Sequence, residues 1–387
     1  MRPACVTLPI RITVLGLRGF PGVQGGVETH AEHLCPLLAE LGCDVEAIVR
    51  SSYQSAAFRR SWKGVRVVPL WSPRSRVLET LVHTFLGIMY AGLVHRPDVL
   101  HIQAIGPALL TPLARLLGLR VVVTHHGPDY ERQKWGRIGR LALRLGEWVG
   151  MRGSHGRIVI SGAIRSLVQA KHGIDAALIP NGVLLPELPA STGALDEFAL
   201  TPGKYILLVS RLVPEKRHMD LIEAFRRAAR ADPALAGWKL AIVGTSDHPG
   251  SYARRVLEAA AGTPGVVCTG FRSGQELREL YAHAGLFVLP SSHEGMPIAM
   301  LEALSYGLPV IASAIPANLE IGLAEEHYFP LGDVAALAAR LCEFASQPQP
   351  PAARDARRTW VCSRFDWNRI ARETLAVYWA VIAGRRV

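Results

Sequence analysis

The sequence predicts an α/β protein made of two doubly wound domains, each a parallel sheet with helices on both faces. Short apolar runs alternate with helical patterns along nearly the whole chain of 387 residues. The runs are continuously apolar, as expected for strands that are buried on both faces. The alternation stops at a proline-rich stretch and then restarts, which predicts a linker between two domains.

The first domain is predicted over residues 1–185 and begins with the apolar run Ile12–Gly16. A helix follows in which apolar residues recur at every third or fourth position. Further strands are predicted at Val45–Val49, Val65–Leu70, Val99–Ile102, Val121–Thr124, Arg157–Ser161 and Ala177–Pro180, and further helices at 76–94, 107–117 and up to Lys171.

The second domain is predicted over residues 204–364, after a linker at 186–203. A polar, proline-rich break is expected at Gln347–Ala353, and residues 365–387 are expected to form a helix that packs back on the first domain. Ligands of such sheets bind at the carboxyl ends of the strands, so a shared ligand is expected in a central cleft. The strands are predicted at Tyr205–Ser210, Lys239–Gly244, Val266–Gly270, Leu286–Pro290 and Pro309–Ser313, and the helices at 218–230, 251–261, 274–283 and 298–306.

The positive charge of the chain is concentrated in the first domain. The formal net charge is +11, and residues 1–185 hold 22 Lys and Arg against 11 Asp and Glu. Such a surface attracts an anionic partner: nucleic acid, a phosphorylated substrate or an anionic membrane. No nucleic-acid-binding motif is present, and aromatic residues do not alternate with the basic ones, so we expect no nucleic-acid partner.

The segment Tyr130–Met151 predicts a basic amphipathic helix. Two interpretations remain open for it: a helix that lies on an anionic membrane, or a surface helix that packs its apolar stripe on its own domain. The basic residues are Arg132, Lys134, Arg137, Arg140 and Arg144, and the apolar ones are Ile138, Leu141, Ala142, Leu145, Trp148 and Val149.

The six cysteines predict reduced thiols rather than a disulfide framework. They contain no Cys-x-x-Cys pair and no spacing typical of a metal site. We therefore expect a cytoplasmic protein without a structural metal.

Gly25 and Gly26 stand immediately before the first helix, in the stretch Gly16–His30. The glycines do not match the G-x-G-x-x-G dinucleotide fingerprint, and no G-K-[ST] sequence of a Walker loop follows. A glycine pair at a helix N-terminus suits an anion such as a phosphate. An ordinary strand-to-helix turn is the alternative.

Two cations follow a predicted strand of the second domain in the sequence SRLVPEKR. Arg211 and Lys216 suit a diphosphate, Arg as a fork and Lys as a point charge. A solvated charged loop is the alternative.

Further candidates follow other strands. Glu294 lies in a loop, and Glu302 lies eight residues later on a helix with little polar surface, where a carboxylate needs a cation or a hydrogen-bond partner such as a sugar hydroxyl. His125 and His126 are candidates for hydrogen bonding or proton transfer, with a structural role as the alternative.

Together these stretches resemble the family 4 retaining glycosyltransferases, which have the GT-B fold of two Rossmann-like domains. The resemblance covers nearly the whole chain. It is carried by the Glu-x7-Glu signature in HEGMPIAMLEALSYGLPVIAS, the cation pair in SRLVPEKR, the glycine loop GVQGGVETH and IPNGV at 179–183.

The resemblance implies a nucleotide-diphosphate sugar as the donor, with no cofactor and no metal. Arg211 and Lys216 would neutralise the departing diphosphate, and Glu302 would hold the ribose. Glu294 and His126 would face the donor sugar; His125 matches this position less well. Backbone groups around Gly295, Met296 and Pro297 would fix sugar and phosphate, and Gly25 and Gly26 would complete the phosphate site.

The glycine loop also resembles a subset of the family that acts in bacterial surface polysaccharide or exopolysaccharide assembly. This implies an oligosaccharide or lipid-linked acceptor, with a polyprenyl-diphosphate-linked sugar as the favoured hypothesis, and a peripheral position on the inner face of the plasma membrane. Leu17–Val23 is a candidate for the acceptor side, with Arg18 as its one charge. The alternatives are a nucleotide-sugar epimerase or a phosphorylase on the same fold, or a basic nucleic-acid-binding protein.

Overall fold

The computed structural model describes residues 9–54, 60–75, 78–132, 135–246, 250–347 and 349–387. The chain forms two compact units. One extends to Asn181 and includes Trp367–Val387, and the other is Gly182–Asp366. Cys5, Lys134 and positions 76 and 77 of the predicted helix at 76–94 lie outside the described residues.

The first unit is built on an eight-stranded sheet with the order β3-β4-β2-β1-β5-β6-β7-β8, parallel except for the β3–β4 pair. Its continuous apolar strands, such as β6 with the sequence VVVTH, are buried along their whole length. The strands are β1 Arg11–Leu15, β2 Asp44–Arg50, β3 Ser61–Trp62, β4 Val65–Leu70, β5 Val99–Gln103, β6 Val121–His125, β7 Gly156–Val159 and β8 Ala177–Leu178.

Among the described residues, five α-helices connect these strands, and the C-terminal helix Trp367–Ile382 adds a sixth to the unit. Trp367 and Tyr378 of that C-terminal helix are fully buried in the same core as the apolar stripe of the first helix. The connecting helices are α1 Gly26–Glu40, α2 Leu78–Tyr90, α3 Thr111–Leu116, α4 Arg137–Gly153 and α5 Gly162–His172.

The second unit has a six-stranded, all-parallel sheet with the order β11-β10-β9-β12-β13-β14. Its strands are β9 Tyr205–Val209, β10 Lys239–Val243, β11 Val266–Gly270, β12 Leu286–Leu289, β13 Val310–Ser313 and β14 Tyr328–Phe329. Its helices are α6 Gly193–Asp196, α7 His218–Ala231, α8 Ser251–Ala261, α9 Gly274–Ala282, α10 Ile298–Ser305, α11 Pro316–Leu319, α12 Val334–Ser346 and α13 Pro351–Arg364.

Residues 186–203, predicted as a linker, belong to the second unit. Leu195 and Leu200 of this segment are buried, and the Glu279 carboxylate accepts hydrogen bonds from the Ser191 hydroxyl at 2.6 Å and the Ala194 amide at 2.8 Å. The proline-rich break predicted at Gln347–Ala353 begins directly after α12, but its last three residues form the first turn of α13. Pro351 fits there because no amide proton is needed in a first turn.

Candidate functional site

The sheet of the second unit reverses its strand order between β9 and β12. The chain leaves β9 towards β10 on one side, and β12 pairs with β9 on the other side. At such a switch point two successive loops diverge and leave room for a ligand beyond the carboxyl ends of the strands. The loop after β9 carries Arg211 and Lys216, and the loop after β12 carries Glu294.

Lys216 and Glu294 form an ion pair across this switch point. The Lys216 ammonium donates to Oε1 of Glu294 at 2.5 Å, and the two side chains are only 19% and 10% exposed. The Ser292 amide also donates to the Glu215 carbonyl at 2.8 Å, which ties the two loops together beside the pair. The structure therefore brings these two predicted site residues together, and it places half-buried Arg211 in the same loop as Lys216.

Glu302, on α10, is held by Tyr281 from α9. The Tyr281 hydroxyl donates to Oε2 of Glu302 at 2.9 Å, and its ring stacks on that of Tyr306 with 5.3 Å between centroids. Burial, together with the Glu302 charge, raises the pKa of Tyr281 well above its usual value, so the phenol remains a donor. The sequence predicted that Glu302 needs a partner, and the structure identifies Tyr281 as one.

Three predicted substrate-binding residues immediately precede α10. Gly295 is half-buried, whereas Met296 and Pro297 are buried. Pro297 occupies the N-cap position, so the amides of the first turn of α10 follow it directly, and the Met300 amide among them donates to the Pro297 carbonyl at 3.0 Å. Glu294 and Glu302 flank this helix start, one in the preceding loop and one in the second turn.

The sheet of the first unit has its own switch point, between β1 and β5. The glycine loop follows β1, Gln103 ends β5, and His126 follows β6. Gly16 has a φ of +109°, and a Cβ there would lie 2.5 Å from the Gln103 carbonyl oxygen. Only glycine permits this close passage of the loop across the end of β5.

An ion pair inside the glycine loop fixes Gly25. The Arg18 guanidinium donates to both carboxylate oxygens of Glu28, at 3.1 and 3.0 Å, and to the Gln24 carbonyl at 2.5 Å. Burial alone would raise the pKa of Glu28, but the charge and hydrogen bonds of Arg18 outweigh it and hold that pKa below its usual value. Arg18, predicted as the charge of the acceptor side, thus stabilises the loop.

The two glycines of the pair differ in their surroundings. Gly25 has a φ of +151°, and a Cβ there would lie 2.1 Å from Oε2 of Glu28 and 2.2 Å from Arg18. A Cβ on Gly26 would meet no atom within 4 Å. Gly26 begins α1, so its amide is one of the unpaired donors of a helix N-terminus and lies beside open space.

His126 lies half-buried beyond the end of β6. Its Nε2 is 2.6 Å from the Gln103 side-chain oxygen, and its ring lies edge-on to that of His30 with 5.0 Å between centroids. His125, in contrast, is fully buried with both ring nitrogens in use. Its Nδ1 accepts from the Gly127 amide at 3.0 Å, and its Nε2 faces Glu147 on α4 at 3.4 Å. These contacts give His125 a structural role and leave His126 as the functional candidate.

Comparisons with known proteins match both halves of the chain. Residues 24–185 match the family model described as "Glycosyltransferase Family 4", and residues 203–347 match the one described as "Glycosyl transferases group 1". The chain belongs to glycosyltransferase family 4. Both models cover segments that contain the predicted site residues.

Individual relatives of this glycosyltransferase include enzymes with different substrates. A glycogen synthase from Mycobacterium tuberculosis is 26% identical over 97% of this chain and 96% of its own. A GDP-mannose:cellobiosyl-diphosphopolyprenol alpha-mannosyltransferase from Komagataeibacter xylinus is 30% identical over 48% of each chain. The solved structure of HepE from Anabaena, with UDP and glucose, has a TM-score of 0.77 at 16% identity and covers 96% of this chain and 100% of that one. The fold is GT-B.

Helix α4 of the glycosyltransferase packs a different face from the one that its periodicity predicts. Its buried residues are Leu143, Gly146, Glu147, Gly150 and Met151, and Gly146 allows close contact with the Ile105 carbonyl. The predicted apolar stripe remains exposed: Ile138 by 84%, Leu141 by 68%, Leu145 by 48% and Trp148 by 49%. The described part of the chain therefore does not cover this stripe, so the domain-packing alternative is wrong for its four largest side chains.

The described residues contain neither a metal-binding cluster nor a membrane-spanning helix. No group of three or more His, Cys, Asp or Glu side chains there is arranged to hold a metal ion. None of the helices in the described ranges is long and apolar enough to cross a membrane. The five described cysteines are Cys35, Cys43, Cys268, Cys342 and Cys362, and none forms a disulfide.

Proposed function

We propose that this protein is a retaining, metal-independent hexosyltransferase that moves a sugar from a nucleotide-diphosphate sugar to a sugar acceptor carried on polyprenyl diphosphate. The observation that carries the proposal is the Lys216–Glu294 pair at the switch point of the second unit, with Arg211 in the same loop. It combines cations for a diphosphate with a carboxylate for sugar hydroxyls at the place where such sheets bind ligands.

The donor is expected to change the partners of this pair. With the nucleotide sugar bound, the Lys216 ammonium would donate a hydrogen bond to a phosphate oxygen, and Glu294 would accept hydrogen bonds from the sugar hydroxyls. Glu302, held by Tyr281, would accept from the ribose hydroxyls. The HepE structure, which is in complex with UDP and glucose, supports this class of donor. Gly25 and Gly26 remain predicted contributors of backbone amides to the diphosphate.

The reaction proposed here needs no enzyme nucleophile. The bond between the anomeric carbon and the diphosphate oxygen breaks, and the acceptor oxygen forms its bond on the same face. The departing phosphate oxygen takes the proton of the acceptor hydroxyl. Arg211 and Lys216 stabilise the charge that develops on the diphosphate. A trapped covalent glycosyl adduct on the protein would contradict this route.

A thermal-shift panel of UDP-, GDP-, ADP- and dTDP-sugars tests the donor site. A ligand at about 100 times its Kd adds about 2.7 kcal/mol of stability, so the correct donor should raise the melting temperature clearly. Lys216→Ala should abolish the shift, and Lys204→Ala, an exposed lysine of the same unit, should retain it. A shift that survives Lys216→Ala would reject the site assignment. Release of altered or free sugar without an acceptor would favour the epimerase alternative.

We further propose that the exposed stripe of α4 rests on the cytoplasmic face of an anionic membrane, where a lipid-linked acceptor is found. Ile138, Leu141, Leu145 and Trp148 would enter the interface, and the arginines beside them would face the headgroups. The relative from Komagataeibacter xylinus, which is named for a cellobiosyl-diphosphopolyprenol acceptor, supports this kind of acceptor.

Vesicle flotation tests the membrane surface. The protein should bind vesicles with anionic lipids and release them as salt rises. Arg137→Glu combined with Arg140→Glu should weaken binding strongly, and Arg230→Glu, an exposed arginine of α7 in the second unit, should not. Equal binding by both variants would contradict the proposed role of α4.

A further inference from the structure

Beneath His126 lies a chain of buried polar side chains that the proposed reaction does not use. Gln103, at the end of β5, contacts Nε2 of His126 through its side-chain oxygen at 2.6 Å. Its amide nitrogen faces the ring of His101, at 3.3 and 3.4 Å from the two ring nitrogens. Gln103 and His101 are both fully buried. A buried polar group must be paired to avoid a large desolvation cost, so the fold holds these three side chains in one hydrogen-bonded arrangement.

His101, the member of this group farthest from His126, contacts two hydroxyl groups. Nδ1 of His101 lies 2.7 Å from the Tyr378 hydroxyl, on the C-terminal helix, and Nε2 lies 2.6 Å from the Thr124 hydroxyl, on β6. Burial lowers the pKa of His101 to about 3, so this ring is neutral, with one nitrogen donating and the other accepting. Rotation of the His101 ring would break both of these hydrogen bonds. The fixed ring in turn fixes the orientation of the Gln103 side-chain amide.

The contact with Gln103 determines where His126 carries its proton. A side-chain carbonyl oxygen only accepts, so Nε2 of His126 must carry the hydrogen. The ring is also neutral: burial holds the pKa of His126 well below its usual value, and positive charge on His30, His101, His125 and Arg132 would lower it further. A neutral ring protonated at Nε2 has an unprotonated Nδ1.

Nδ1 is available for a ligand. Among the described residues, Nδ1 of His126 has no hydrogen-bond partner, and it is not fully buried. His126 is half-buried, so this nitrogen reaches the surface at the carboxyl ends of the strands. Its lone pair accepts a hydrogen bond but cannot donate one.

We propose that Gln103 is a positioning residue that holds His126 as the neutral Nε2–H tautomer, so that the Nδ1 lone pair accepts a hydrogen bond from a hydroxyl of the sugar substrate. The identity of that substrate rests on the proposed function, but the tautomer does not. The hydroxyl would thereby be fixed as the donor of this hydrogen bond. Without Gln103, the proton would divide between the two nitrogens, and the form protonated at Nδ1 would donate to the hydroxyl oxygen instead of accepting from it.

NMR of the full chain labelled with ¹⁵N-histidine tests the tautomer without any substrate. His126 signals are assigned by their loss in His126→Asn. The wild type should show a protonated Nε2 and an unprotonated Nδ1, and Gln103→Leu should show a mixture of forms. Gln169→Leu, on the exposed face of α5, should match the wild type. A wild-type ring protonated at Nδ1, or a Gln103→Leu spectrum identical to that of the wild type, would overturn the proposal.

The pH profile of Gln103→Glu separates positioning from a merely structural role. The new carboxylate still accepts from Nε2 but favours the charged ring, in which Nδ1 is protonated and no longer accepts. Activity should therefore fall about tenfold per pH unit below the raised pKa of His126 and recover above it. A uniform loss at every pH, or no loss, would contradict the proposal. If wild-type protein transfers no sugar, the proposed function fails, while the NMR result still decides the tautomer.

Discussion

Substituting Gly25 and Gly26 separately by alanine should have opposite consequences, although the two residues are adjacent. At Gly25 the backbone has a φ of +151° and a ψ of 145°, a region that residues with a side chain rarely adopt. The new methyl group would also lie 2.1 Å from Oε2 of Glu28 and 2.2 Å from the Arg18 guanidinium. At Gly26 the methyl group enters open space on a helix that favours alanine over glycine.

The expected magnitudes follow from these distances. Backbone strain at Gly25 costs about 1–3 kcal/mol, and breaking a buried ion pair costs about 3–5 kcal/mol. Because the pair can partly re-form after the loop shifts, we expect Gly25→Ala to lose about 3–5 kcal/mol of unfolding free energy. Gly26→Ala should stay within about 1 kcal/mol of the wild type.

Differential scanning calorimetry measures this difference. For a unit of this size each kcal/mol corresponds to about 2–4 °C, so Gly25→Ala should melt about 6–20 °C lower. In a Glu28→Ala background the additional loss from Gly25→Ala should shrink, because the ion pair is already gone. Gly25→Ala with wild-type stability would refute the packing argument. Gly26→Ala should instead retain the fold and lose transfer activity, if the methyl group occupies the position of a donor phosphate.

Three further results are expected. Tyr281→Phe should raise the KM for the donor more than it lowers kcat, because Glu302 loses the hydroxyl that orients it; an unchanged KM would contradict this role. Burial raises the pKa of Glu147, but hydrogen bonds from His125, Tyr130 and His172 outweigh it and lower that pKa to about 2. The resulting stability of about 3 kcal/mol should be complete above pH ~4.5 and disappear towards pH ~2, and urea unfolding of Glu147→Gln should lack this pH dependence. Transfer activity should survive excess EDTA, and its loss on chelation with recovery on adding Mg²⁺ would contradict metal independence.

The sequence predicts the larger elements well because their burial pattern is local information. β9, β10 and β12 are continuous apolar runs, and the structure places each within one or two residues of its predicted bounds. β3 and β14 have only two residues each, so no periodicity can reveal them. No helix is predicted at α12, and the break predicted at Gln347–Ala353 extends into the first turn of α13, because proline also begins helices.

Periodicity alone could not identify the buried face of α4. An amphipathic pattern assigns the large apolar residues to the core. Here Gly146 and Gly150 lie on the buried face together with Leu143, Glu147 and Met151, because small residues let α4 lie close to the Ile105 carbonyl and to Ala108. The stripe that begins at Ile138 is left outside.

The candidate site was predicted by residue type and strand position, but its partners were not. Lys216 and Glu294 are 78 positions apart, and only the pairing of β9 with β12 shows that they meet. Gln103 is not predicted from the sequence, because a glutamine at the end of an apolar strand has no distinctive spacing. A polar residue fully buried at the carboxyl end of a strand is the signal that would have identified it.

Sugar transfer by matched variants tests the central claim most directly. Purified protein, the donor identified by thermal shift and a polyprenyl-diphosphate-linked acceptor should give a product with the donor's anomeric configuration. Glu294→Gln and Lys216→Ala should nearly abolish that product while keeping the wild-type melting curve, and Lys204→Ala should form it normally. Near-normal turnover by either site variant would contradict the account of how this glycosyltransferase binds its donor.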